Sequence, residues 1–174
     1  MVVSEQLDGI PYGHDELFGT GPQRTYTGDA LREIAFPLGG IGTGCISLGG
    51  CGQLRDWEIF NRPDQGYRPE FSFVSLRAEP ADGDVVTKVV QSLYPPPYSG
   101  PFGTGDTPGM GFPHFATNTF RGEFPFAWLT FSDPDVPLEV TAEAFNPFIP
   151  LNEADSGLPT AILIYRLKNL TDAP

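Results

Sequence analysis

Twenty-one glycines and nineteen prolines are spread through 174 residues, and that density of breakers decides most of what this chain can become. Proline removes a backbone donor and clashes inside a helix, and glycine weakens helices entropically. A helical bundle is therefore excluded. The glycines lack the every-third-residue period of collagen. Fourteen phenylalanines and a hydrophobic fraction of 40% supply enough apolar surface for a packed core and argue against disorder. Short strands joined by many turns satisfy both facts. The expectation is an all-β, antiparallel sandwich.

Residues 1–27 are polar and aperiodic and read as an extended N-terminal arm, with the sandwich domain over 28–174. One helical turn is expected at Gly28–Glu33, capped by Asp29. The strongest hairpin runs through Leu38–Leu48, a Gly49-Gly50-Cys51-Gly52 turn, and Gln53–Phe60. Further strands are expected at Phe71–Glu79, Val85–Leu93, Phe124–Phe131, Leu138–Phe145 and Thr160–Lys168. Leu138, Val140, Ala142 and Ala144 alternate with Glu139, Thr141 and Glu143, the pattern of a half-buried strand. Ala161–Tyr165 is apolar at every position, which suits the middle of a sheet. The chain ends soon after that strand, so the sandwich reads as truncated at its C-terminal end. Tyr94–Gly111 is rich in Pro and Gly and reads as a long irregular loop, a length usually reserved for function or for packing on a partner.

The charge excludes several roles. Ten Lys and Arg against twenty-two Asp and Glu give a net charge of −12. Nucleic-acid binders need clustered cations, so that class is set aside, and an anionic membrane would repel the chain. No signal peptide or span-length apolar run is legible. With Cys45 and Cys51 expected to be free thiols, the reading is a cytoplasmic protein without a transmembrane segment.

Few constellations carry chemistry. The cluster Gly39-Gly40-Ile41-Gly42-Thr43-Gly44 lacks the third glycine of a dinucleotide fingerprint, and no Gly-Lys-Ser/Thr follows it. A two-residue Gly50-Cys51 turn would pair Arg55 with Ile46 and Trp57 with Gly44, laying the indole over the glycines. It would set Asp56 and Glu58 on one face with Cα atoms roughly 6.5–7 Å apart, near the spacing of glycosidase carboxyl pairs. Ion pairing with Arg55 or Arg62 is the simpler role for both acids. His14 and His114 have no ligand partners in metal spacing. Asp133-Pro134-Asp135 reads as a turn. No metal, cofactor or catalytic residue is assigned.

Two longer strings are more informative. Glu33–Gly44 (EIAFPLGGIGTG) and Gly52–Pro63 (GQLRDWEIFNRP) resemble the N-terminal domain of glycoside hydrolase family 116, the non-lysosomal (bile-acid) glucosylceramidases and their bacterial or archaeal β-glucosidase relatives. Phe124–Ala127, Phe131–Leu138, Ala144–Leu151 and Asp155–Pro159 extend the resemblance. It implies a two-domain enzyme, a β-sandwich followed by an (α/α)6 barrel, that hydrolyses β-glucosides with retention. Its nucleophile and acid/base lie in the barrel, which nothing in this chain resembles. The resemblance therefore implies a non-catalytic fragment that supports the barrel and its active-site rim, with that barrel and a β-glucoside as partners. Arg55, Asp56, Trp57, Glu58, Asn61 and Arg62 are the candidates for the domain interface or substrate rim. The alternative is an autonomous carbohydrate-binding or structural sandwich module.

Overall fold

The structure, a computed structural model, describes residues 23–60, 62–80, 83–94 and 111–171, together with residues 13, 15, 18, 19 and 109. Among the described residues, eleven strands form three sheets around one core. The largest is a five-stranded antiparallel sheet in the order β1 (Thr25–Thr27), β8 (Thr117–Glu123), β9 (Phe126–Ser132), β10 (Leu138–Phe145) and β11 (Ile162–Asn169). A meander of β2 (Ala35–Leu38), β3 (Cys45–Gly49) and β4 (Leu54–Glu58) forms the second. The third joins β5 (Ser75–Ala78), β6 (Val86–Ser92) and β7 (His114–Phe115). There β6 and β7 run parallel, the one departure from the antiparallel pattern among the described strands.

The large sheet obeys the period-two rule. In register, Asn118, Phe131 and Val140 share one row, and Phe120, Leu129, Ala142 and Tyr165 the next. Nearly all of these are buried and face the other sheets. The opposite face carries Arg121, Trp128, Thr130, Glu139, Glu143, Arg166 and Lys168. Arg121 lies 3.9 Å over the Trp128 ring, and Arg166 and Lys168 pair with Glu143 and Glu139 across the β10–β11 ladder. Leu138–Phe145 matches its expected bounds, and the alternation seen in its sequence is the alternation of its burial.

Four expectations need correction. The run Leu38–Leu48 is not one strand. β2 and β3 pair antiparallel, Leu38 opposite Ile46, and Gly39–Gly44 is the loop between them, because the glycines at 39, 42 and 44 take positive φ that cannot continue a strand. The β3–β4 turn holds three residues, not two. Gly52 N–H donates to Gly49 O, Gly52 takes φ +93°, and Gly49 N–H closes on Gln53 O, a type I turn with a left-handed third residue. The 28–33 turn is a 3-10 turn over Gly28–Leu31 with Thr27, not Asp29, at the cap position. Finally, β11 lies at the edge of its sheet, not in the middle. Leu163 and Tyr165 pack on the core from one face while Ile164 and Leu167 stay exposed.

The tip of the β3–β4 hairpin is buried, which is unusual for a turn. A Cβ on Gly50 would stand 2.3 Å from Leu31 O, and one on Gly52 would stand 2.9 Å from the Phe131 ring. Only glycine lets the tip enter between the sheets. Its polar groups are met inside: Asn118 Nδ2 donates to Gly50 O at 2.8 Å, and Ser92 N–H donates to Cys51 O at 3.0 Å. Burial pushes the Cys51 thiol up, and Cys45 and Cys51 are both unbridged.

Candidate functional site

The glycine loop and the end of β4 share one side of the domain. The loop is pinned twice. Ile41 N–H donates to Ser156 O at 2.8 Å, and Asn146 Nδ2 donates to Gly39 O at 2.9 Å. Ser156 is fixed in turn: its Oγ donates to Ile149 O and accepts from Ile149 N–H, below a single helical turn, Glu153–Ser156, capped by the Asn152 side chain. Gly40 packs so tightly on this segment that a Cβ there would sit 2.3 Å from Leu158 O.

β4 does not present its residues as a regular strand would. Ser47 pairs with Arg55 but Cys45 pairs with Glu58, so Asp56 and Trp57 together oppose Ile46. Asp56 takes φ +53°. This is a β-bulge, which bends a strand and re-aims its side chains. The expected pairing of Trp57 with Gly44 is lost. What packs on Gly44 is the Glu58–Ile59 backbone, 2.9 Å from where a Cβ would be.

The bulge separates the two acids. Asp56 is buried. Its carboxylate accepts Gly66 N–H at 2.7 Å and lies 3.3 Å from Arg55 Nε, while its own N–H donates to Tyr67 O. Burial alone would raise its pKa, but the hydrogen bonds from Gly66, Ser47 and Arg55 outweigh it and hold the carboxyl below its ordinary range. Asp56 is thus an ionised anchor for the loop that follows β4. Glu58 is half-buried, and its carboxylate makes no hydrogen bond or ion pair among the described residues. It lines a cleft of about 490 Å³ with Gly39–Gly42, Phe124, Asn146 and Phe148. It also borders an adjoining depression with Phe60 and Arg62. Burial first, and the Glu58 carboxylate second, push the Cys45 thiol up.

Arg55 is mostly buried against Asp56. Trp57 is half-buried, its indole N–H enclosed without a partner among the described residues. Arg62 is exposed, and Asn61 lies outside the described residues. The structure therefore brings Glu58 and Arg62 to one surface and turns Asp56 and Arg55 inward. The Asn146–Leu158 segment was not expected at the site. Asn152 three residues before Asp155 was the one local signal, because that spacing favours a capped turn.

The sequence of this site, from β2 through the glycine loop, β4 and the Asn146–Leu158 segment, lies within the match that places the chain. Residues 35–174 match the family model described as beta-glucosidase 2, glycosyl-hydrolase family 116, N-terminal. The chain belongs to this family. It is a glycoside hydrolase N-terminal domain, and a family 116 domain of this kind implies a catalytic partner domain. In the family 116 domain, the loop, hairpin turn and bulge concentrate left-handed backbone: four positive-φ glycines, Asp56 and Phe60 fall within residues 39–60. No described helix is long and apolar enough to cross a membrane.

Proposed function

We propose that this family 116 domain is the non-catalytic support of a retaining β-glucosidase of the glucosylceramidase type, acting in the cytoplasm on β-glucosides through its partner barrel. The Asp56–Arg62 end of the β3–β4 hairpin meets that barrel beside its active-site rim. The observation that carries the reading is the commitment of Asp56. A retaining mechanism needs two carboxyls about 5–5.5 Å apart with pKa values pushed apart by their pocket. Here one acid is tied to Gly66, Ser47 and Arg55 and held ionised, which suits an anchor and leaves Glu58 without a catalytic mate.

The test is direct. The 174-residue chain, assayed on an aryl β-glucoside, is expected to show no turnover, and the enzyme containing the domain is expected to keep turnover when Glu58 becomes Gln. Turnover by the chain that disappears in Asp56→Asn or Glu58→Gln would overturn the reading.

A further inference from the structure

Two residues on the glycine-loop side of the domain combine a costly backbone with an exposed apolar side chain. Phe60 has φ +59° and is 91% exposed, and Leu151 has φ +64° and is fully exposed. The left-handed region is unfavourable for any residue with a Cβ, and neither side chain regains that cost by burial within the domain. Their segments belong to one surface. Phe60 borders the glycine loop at Thr43 and Gly44. Leu151 sits in the segment that Ser156 ties to Ile41, itself 58% exposed.

Beside the glycine loop and Phe60 stands Glu58. Glu58 lines a cleft with Ile41, Phe124 and Phe148, the two phenylalanine rings lying 5.6 Å apart. A half-buried carboxylate among apolar groups loses hydration and gains most from a cation brought to it. Arg62 borders the adjoining depression but forms no ion pair with Glu58 among the described residues.

We propose that this face docks on the catalytic domain of the enzyme, that the docking segment offers an arginine or lysine to Glu58, and that its apolar side chains cover Ile41, Phe60 and Leu151. The inference rests on the reading of the domain as a barrel support and adds which face is used and what chemistry meets it. Charge complementarity selects the occupant: a chain of net charge −12 attracts a basic segment, whereas a second copy would bring further acid toward Glu58. Apolar and aromatic anchors, with arginine, are the usual centre of such a contact, and a carboxylate enclosed among them requires a cationic partner.

The experiment uses the whole enzyme carrying the photo-crosslinking residue benzoylphenylalanine at position 60, 151 or, as a control on the β5–β6 sheet, 87. Positions 60 and 151 are expected to cross-link within the same molecule to the catalytic domain, and position 87 is expected not to. Cross-links from 87 alone would remove this face while leaving a support role intact. Cross-links from 60 and 151 only between copies, or none from any position, would also overturn the proposal. In parallel, Glu58→Gln is expected to speed limited proteolysis between the domains about tenfold, with Glu139→Gln, on the solvent face, unchanged. Equal rates for the two variants would remove the cation from the proposal.

Discussion

Gly66 N–H donates to the Asp56 carboxylate at 2.7 Å, and this bond joins the bulge of β4 to the loop that follows it. Asp56 N–H returns a bond to Tyr67 O, so the loop is held from both ends of one residue. Asp56→Ala removes the charged acceptor of the Gly66 N–H, a charge-assisted hydrogen bond, and is expected to cost about 1.5–3 kcal/mol. Asp56→Asn keeps an acceptor oxygen and is expected to cost less. Urea unfolding of the two variants checks the order, and equal midpoints would contradict it.

Acid should loosen the domain through two carboxylates. Asp133 accepts Lys88 Nζ at 2.9 Å, Ala116 N–H at 2.9 Å and Asp135 N–H at 3.0 Å. Burial opposes its ionisation, but these bonds outweigh it and hold its carboxyl low, as for Asp56. A carboxyl whose folded pKa lies below its unfolded value contributes stability above the unfolded value, about 3.9 for Asp. That contribution is lost as pH falls through the folded values. Thermal melts should stay flat above about pH 5 and decline below about pH 4, and Asp133→Asn should flatten part of the decline. An unchanged profile in Asp133→Asn would refute this.

Three glycines should respond differently to one added methyl. At Gly40 and Gly50 a Cβ would meet Leu158 O and Leu31 O, each at 2.3 Å, and backbone cannot move aside cheaply. Gly42 has open space but φ +74°, so alanine there should cost only about 1–2 kcal/mol in strain. Calorimetry should find Gly50→Ala the most damaging, because the tip is enclosed by Leu31, Phe131 and Asn118. A Gly42→Ala change as severe as Gly50→Ala would show that the loop is packed rather than open.

The outer edge of β11 has no hydrogen-bonded neighbour among the described strands. Its cations do not guard that edge, since Arg166 and Lys168 reach back to Glu143 and Glu139 on β10. A regular edge with exposed Leu167 invites strand pairing. The 174-residue chain is expected to self-associate as concentration rises, and Leu167→Lys should reduce that association. Sedimentation velocity decides it; monodisperse wild-type chain at all concentrations would refute the prediction.

Where side-chain pattern alone sets the outcome, the sequence was sufficient. The breakers and aromatics demanded β structure, and the alternation of Leu138–Phe145 named its buried face because a strand has only two faces. Long specific strings such as Gly52–Pro63 carried the family. Tertiary structure decided the rest. The register of β3 and β4 turned on one left-handed residue, Asp56, whose conformation is held by Gly66 and Tyr67, ten and eleven positions along the chain. No local pattern reports such a partner, and a shift of one residue moves every later side chain to the other face. That shift turned Asp56 inward and left Glu58 alone in the cleft. The glycine loop was likewise pinned, at Gly39 and Ile41, by Asn146 and Ser156, more than a hundred residues away. Periodicity reads contacts between neighbours in sequence, and those partners are neighbours only in space.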